Sequence, residues 1–119
     1  MGDLVWKVQS VRRRKEYLTA AEELKRAEGM FLVLQVVVRN PALEGARPVE
    51  LSLEQLRLTG EGEEYAPVPL YEGIFAEGIL PVGHIGKGLV LFDVPPNLHT
   101  ARLSITQGGE VLAQVALQF

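Results

Sequence analysis

The chain has no cysteine. This excludes a disulfide framework, a thiolate metal centre and a thiol nucleophile, and it leaves the compartment open. Histidine is nearly as scarce. His84 and His99 are the only two, far apart and in no His-x-His or His-x-x-x-His pairing. A zinc or copper site needs three or four converging nitrogen or sulfur ligands, so no metal and no cofactor is expected, and each histidine reads as a surface or capping residue. Aspartate occurs only at Asp3 and Asp93. A Ser-His-Asp triad would have to recruit one of them, and Ser10, Ser52 and Ser104 lie in or beside strands, outside any Gly-x-Ser-x-Gly elbow. Asparagine is confined to Asn40 and Asn97 while arginine outnumbers lysine, which points to a thermophilic source. No run is long and apolar enough to span a bilayer. The longest, Met30 to Val38, is broken by Gln35, so no membrane insertion is expected. The first residues, Met1-Gly2-Asp3-Leu4, do not form a signal peptide.

What remains is an ordinary globular composition. The chain has 119 residues, 47% hydrophobic and 23% charged, with a net charge of −3. Residues 1–119 suit one domain with its own core. The acidic balance disfavours nucleic acid as a partner.

Hydrophobic periodicity is that of strands. Leu4, Trp6 and Val8 alternate with Val5 and Lys7. Met30 to Asn40 is the strongest element, with Met30, Leu32, Leu34, Val36 and Val38 on one face and Phe31 and Val33 covered on the other, as in a central strand. Asn40-Pro41 ends it. Val49, Leu51 and Leu53 share one parity and Leu56 and Leu58 the other, so a bulge or a sheet-switching bend is expected near Glu54-Gln55. Gly60-Glu61-Gly62 turns the chain into a return strand from Glu64 to Val68. Pro67 to Gly83, rich in proline and glycine, reads as a long structured loop with short edge strands. Lys87 to Val94 is a second strong strand. Leu98 to Thr106 and Val111 to Phe119 form a closing hairpin about Gln107-Gly108-Gly109-Glu110. One helix is expected, Thr19 to Ala27, from the capping-box spacing Thr19…Glu22 and a glycine stop at Gly29. Seven or eight short strands without strand–helix–strand alternation predict an all-β fold, an immunoglobulin-like antiparallel β-sandwich with one short surface helix.

Three segments resemble a bacterial immunoglobulin-like family of unassigned function. They are Trp6-Lys7-Val8; Gly29 to Asn40, which follows a Gly-x-Phe-hydrophobic strand ending in Asn; and Gly88-Leu89-Val90-Leu91-Phe92-Asp93-Val94-Pro95, which follows Gly-x-x-x-Phe-Asp-Val-Pro. Leu56-Arg57-Leu58-Thr59-Gly60 and Tyr65 fit the same family's hairpin. The chain departs from it at Pro81-Val82-Gly83, where the family often has Pro-Gly. The resemblance covers nearly the whole chain and implies secreted or lipid-anchored extracytoplasmic proteins, similar in fold to a mycobacterial secreted immunogenic protein. It brings no catalytic residues.

Other features offer candidate surfaces. Glu61, Glu63 and Glu64 cluster at a hairpin tip and read as solvating charge. Gly83 to Gly88 is glycine-rich but opens a strand, whereas a phosphate loop must open a helix. The run Arg12-Arg13-Arg14-Lys15 could hold an anion or an acidic partner, though it lacks interleaved aromatics and is followed by Glu16, Glu22 and Glu23. Leu70, Tyr71, Ile74 and Phe75 lie among glycines and prolines, either as a partner patch or folded over an open end of the sandwich. Tyr71 and Phe75 are the contact residues expected under the first alternative. The function expected is a non-enzymatic interaction or accessory domain of the bacterial envelope, with another protein as partner and no nucleic acid. The alternative is a cytoplasmic anion-binding module built on Arg12 to Lys15. Location follows the same division: extracytoplasmic with a leader absent from this sequence, or cytoplasmic if Met1 is the native start.

Overall fold

A computed structural model describes residues 4–107 and 109–119. The strands in chain order are β1 (Val5–Leu18), β2 (Leu24–Arg39), β3 (Val49–Glu50), β4 (Leu56–Gly60), β5 (Glu63–Tyr65), β6 (Glu72–Gly73), β7 (Ile79–Leu80), β8 (Ile85–Val94), β9 (Thr100–Gln107) and β10 (Glu110–Gln118). They build one sheet in the order β1-β2-β8-β6 and a second in the order β10-β9-β4-β5, with the short pair β3-β7 beside them, and every pairing is antiparallel. This is the expected immunoglobulin-like sandwich.

The core lies between the two sheets and follows strand parity. Leu32, Leu34, Val36 and Val38 of β2 and Val90, Phe92 and Val94 of β8 face Leu56, Leu58, Leu103, Ile105 and Leu117 of the opposite sheet. The other faces of β2 and β8 are also covered in part. Phe31, Val33 and Leu91 join Ala27 in a second buried cluster on the outer face. The segment before β6 seals it: Val68 donates its backbone N–H to the Leu91 carbonyl at 2.8 Å, and Val68 and Leu70 pack onto the cluster.

The helix expected over Thr19 to Ala27 is a hairpin instead. β1 and β2 pair as far as Leu18↔Leu24. The Thr19 hydroxyl accepts from the N–H of Glu23 at 3.1 Å, and Glu22 takes a φ of 62°. Leu24 alone gave that helix too little apolar surface to bury, whereas alternation along Lys25 and Ala27 extends the sheet. Gly29 is not a left-handed stop. It is needed because a Cβ there would run into the Val94 carbonyl.

A capping box does form, at Ser52 and Gln55. The Ser52 hydroxyl accepts from Glu54 N at 3.3 Å, and Gln55 Oε1 accepts from Ser52 N at 2.9 Å. It closes a 3-10 turn over Leu53–Gln55. This turn, rather than a bulge, absorbs the change of parity, and Leu51, Leu53, Leu56 and Leu58 are all buried.

Among the described residues the one α-helical turn, α1, is Ile74–Glu77. It docks Ile74 and Phe75 onto the glycines of β8. A Cβ at Gly88 would lie 2.6 Å from the Phe75 ring, and one at Gly86 would collide with Ile74. β10 keeps the expected inward set from Ala113 to Phe119. A register shift between Val111 and Ala113 leaves Val111 exposed.

Candidate binding cleft

The β1-β2 hairpin is bent. Pairing runs from Val5↔Arg39 to Arg14↔Phe31 and resumes at Glu16↔Arg26, so Lys15 alone stands opposite four residues, Ala27 to Met30. An irregularity of this kind turns the strand pair sharply. Beyond it the arm folds across the outer face of its own sheet. Tyr17, like Val68, Leu70 and Leu89, packs onto the outer-face cluster of Ala27, Phe31, Val33 and Leu91, and its hydroxyl comes within 3.5 Å of Glu72 Oε2 on β6.

Two charged residues hold the bend. Asp93 accepts from Glu28 N at 2.8 Å and from Gly29 N at 3.0 Å. Lys15 Nζ donates to the Gly29 carbonyl at 2.7 Å and the Glu28 carbonyl at 3.2 Å. Backbone groups that the sheet ladder no longer pairs are thus satisfied by side chains of opposite charge, which strengthens each bond.

The elbow between arm and sheet encloses a cleft of about 390 Å³ lined by Ser10, Arg12, Arg14, Glu16, Tyr17, Leu18, Val33, Gln35 and Leu89. Its floor follows from register. Gln35 pairs with Ser10 and Leu89, Val33 pairs with Arg12 and Leu91, and these side chains share the outer face. Among the described residues Arg12 and Arg14 have no hydrogen-bond or ion-pair partner, while Glu16 is held by Arg26 Nε at 2.7 Å. Burial first, and then the neighbouring Glu72 carboxylate, push the Tyr17 phenol above its usual pKa of 10.0.

The basic run therefore does three different things. Arg12 and Arg14 face the cleft, and Lys15 clamps the bend. Arg13 turns the other way, placing Nη1 3.0 Å from His99 Nδ1 and donating to the Pro96 carbonyl, which ties β1 to the connection between β8 and β9. Sequence reasoning named Ser10 only as a candidate nucleophile and Gln35 only as a break in an apolar run, and it did not single out Tyr17 or Leu18. Their meeting depends on the bend, and the only local trace of it is Gly29 with the distant Asp93.

The structure separates the other expected pair. Tyr71 is 50% exposed and donates to Glu54 Oε1 at 3.3 Å. Phe75 is 4% exposed and belongs to the main core, so its ring presents no contact surface in this fold. Asn40, the buried end of the β2 motif, donates from Nδ2 to the carbonyls of Arg47 at 2.9 Å and Leu80 at 3.1 Å. Its own carbonyl accepts from Gly83 N at 2.7 Å. Asn40, Asp93, Gly29 and Gly88 are the marked residues of the sequence motifs, and each fixes a loop or a close approach of backbone.

No family model and no curated protein matches this sequence. Among solved structures, a secreted protein from Mycobacterium tuberculosis, MPT63, aligns over 98% of this chain and 82% of its own, at 18% identity and a TM-score of 0.63. At that identity the likeness concerns the fold: this chain has the immunoglobulin-like sandwich of the mycobacterial protein.

Proposed function

We propose that this chain is a non-enzymatic interaction or accessory domain of the bacterial cell envelope, working outside the cytoplasm with another protein as partner. The observation that carries the reading is its likeness in fold, over nearly its whole length, to a protein described as secreted. This is an analogy at the level of fold. The use of polar side chains supports it. Asn40, Asp93 and Ser52 are engaged with backbone, so recognition falls to exposed surface such as Tyr71. The test is cell fractionation with an antibody to the domain, after expression of the gene from its natural start. Recovery from the envelope or the medium is expected. Recovery from the cytosol alone overturns the proposed location.

Arg12 and Arg14, open to solvent on one sheet face, favour a second reading, a cytoplasmic module for an anionic ligand. Its mark would be binding that weakens steeply with salt in a protein confined to the cytosol.

A further inference from the structure

We propose that the elbow cleft is a binding site for a small amphiphile with a carboxylate or phosphate head, held by Arg12 and Arg14, and a compact apolar body. This inference does not depend on which side of the membrane the domain works. Three observations converge on it. The cleft's volume of about 390 Å³ falls within the range of about 300–1,000 Å³ typical of small-molecule sites. Its two arginines reach it without partners among the described residues, and guanidinium groups match carboxylate and phosphate oxygens with two parallel hydrogen bonds. Its remaining wall is divided by chemistry. Ser10 and Gln35 offer hydroxyl and amide groups, while Leu18, Val33, Leu89 and the Tyr17 ring offer apolar surface.

The surroundings favour the same charge. Lys7↔Val37↔Lys87 and Val5↔Arg39↔Ile85 are the next rows of the outer face, so three more cations stand on it beyond the cleft. The protein as a whole is acidic at −3, and this face runs against that balance. Of the nearby carboxylates, Glu16 is neutralised by Arg26, Asp93 is occupied by backbone N–H groups, and Glu72 lies at the Tyr17 hydroxyl. An arriving oxyanion therefore meets a positive field at the arginines.

The ligand's source is a free metabolite-sized acid or the headgroup of an anionic lipid, and the experiment separates them. The intact protein is titrated with monobutyl phosphate, with hexanoate, with inorganic phosphate, and with vesicles of phosphatidylglycerol in phosphatidylcholine, following backbone amide shifts. At least one soluble amphiphile is expected to saturate, to bind more tightly than inorganic phosphate, and to shift amides of Ser10 to Leu18, Val33 to Gln35 and Leu89. The double variant R12Q/R14Q should weaken it by about tenfold or more while its thermal midpoint stays within a degree or two, because both side chains are solvent-facing. The variant K7Q/K87Q, which lowers charge on the same face outside the cleft, should change binding far less. Vesicle binding that also depends on Arg12 and Arg14 identifies a headgroup; its absence identifies a free acid. The proposal is overturned if neither soluble amphiphile saturates, if only vesicles bind, or if R12Q/R14Q and K7Q/K87Q weaken binding equally.

Discussion

On the inner face of the β1-β2-β8-β6 sheet, Leu32, Leu34, Val36, Val90 and Phe92 are sealed from water at 0–1% exposure. On the outer face of the same sheet stand Lys7, Arg12 and Arg14 of β1, Gln35 of β2 and Lys87 of β8. The backbone is shared, and the alternation of side chains divides the work. The inner face supplies stability, because apolar area leaves water there at roughly 25 cal/mol per Å². The outer face is open at one end and roofed at the other by the folded arm. Away from the buried Phe31, Val33 and Leu91, it is the place where residues can change without loss of the fold, and so the place where a ligand site is tolerated.

The sharpest way to break this division is to compare two aromatics four positions apart in sequence. Phe75 crosses to the inner side and fills the space left by Gly88, whereas Tyr71 stays half exposed. Phe75→Ala should cost about 3–5 kcal/mol, a large share of a small domain's stability. Tyr71→Ala should cost under about 1 kcal/mol, since its bond to Glu54 is exposed. Urea denaturation midpoints check both. Equal losses would mean that Tyr71 is as deeply seated as Phe75, and the division would fail.

A smaller effect tests what joins the two faces. Asp93 leans outward between the inward Phe92 and Val94 and holds the bend of the hairpin. Asp93→Ala leaves two backbone donors without their acceptor and should cost about 1–3 kcal/mol. Hydrogen exchange should quicken at Glu28 and Gly29, while the interior of β2 from Leu32 to Val38 stays protected. Uniform loss of protection instead would show that the arm and the core unfold as one unit.

Most of the inner face was legible in the sequence because burial writes itself as period two. Met30 to Val38, Lys87 to Val94 and Leu98 to Thr106 were placed correctly for that reason. What was not legible is where local rules give way to distant contacts. The spacing Thr19…Glu22 has the form of a capping box, yet the segment forms a hairpin, since pairing β1 with β2 buries Tyr17 and Ala27 as an isolated helix could not. Ser52 and Gln55 carry an equally good signal and do form the box. Local chemistry was sufficient in one case and overridden in the other. The cleft was hidden more completely. Arg12, Arg13, Arg14 and Lys15 form one basic run in sequence, but strand alternation and the bend send them to three destinations, and no pattern in the run marks the position of the bend.

The smallest effect expected is spectroscopic and reads the roof of the cleft directly. Tyr17 is one of three tyrosines, and its phenol is pushed above the usual value first by burial and then by Glu72. A raised pKa in an acid means that the folded protein favours the neutral phenol. The associated stability is therefore present below the unfolded phenol's pKa of about 10 and is lost as pH rises through the folded value. Ultraviolet titration should show a late component, a phenol ionising above the usual pKa of about 10. Tyr17→Phe should remove that late component, and Glu72→Gln should bring it earlier without restoring the usual value, because burial remains. If Glu72→Gln leaves the titration unchanged, the arm does not reach β6 in solution, and the cleft would be more open than the elbow geometry describes.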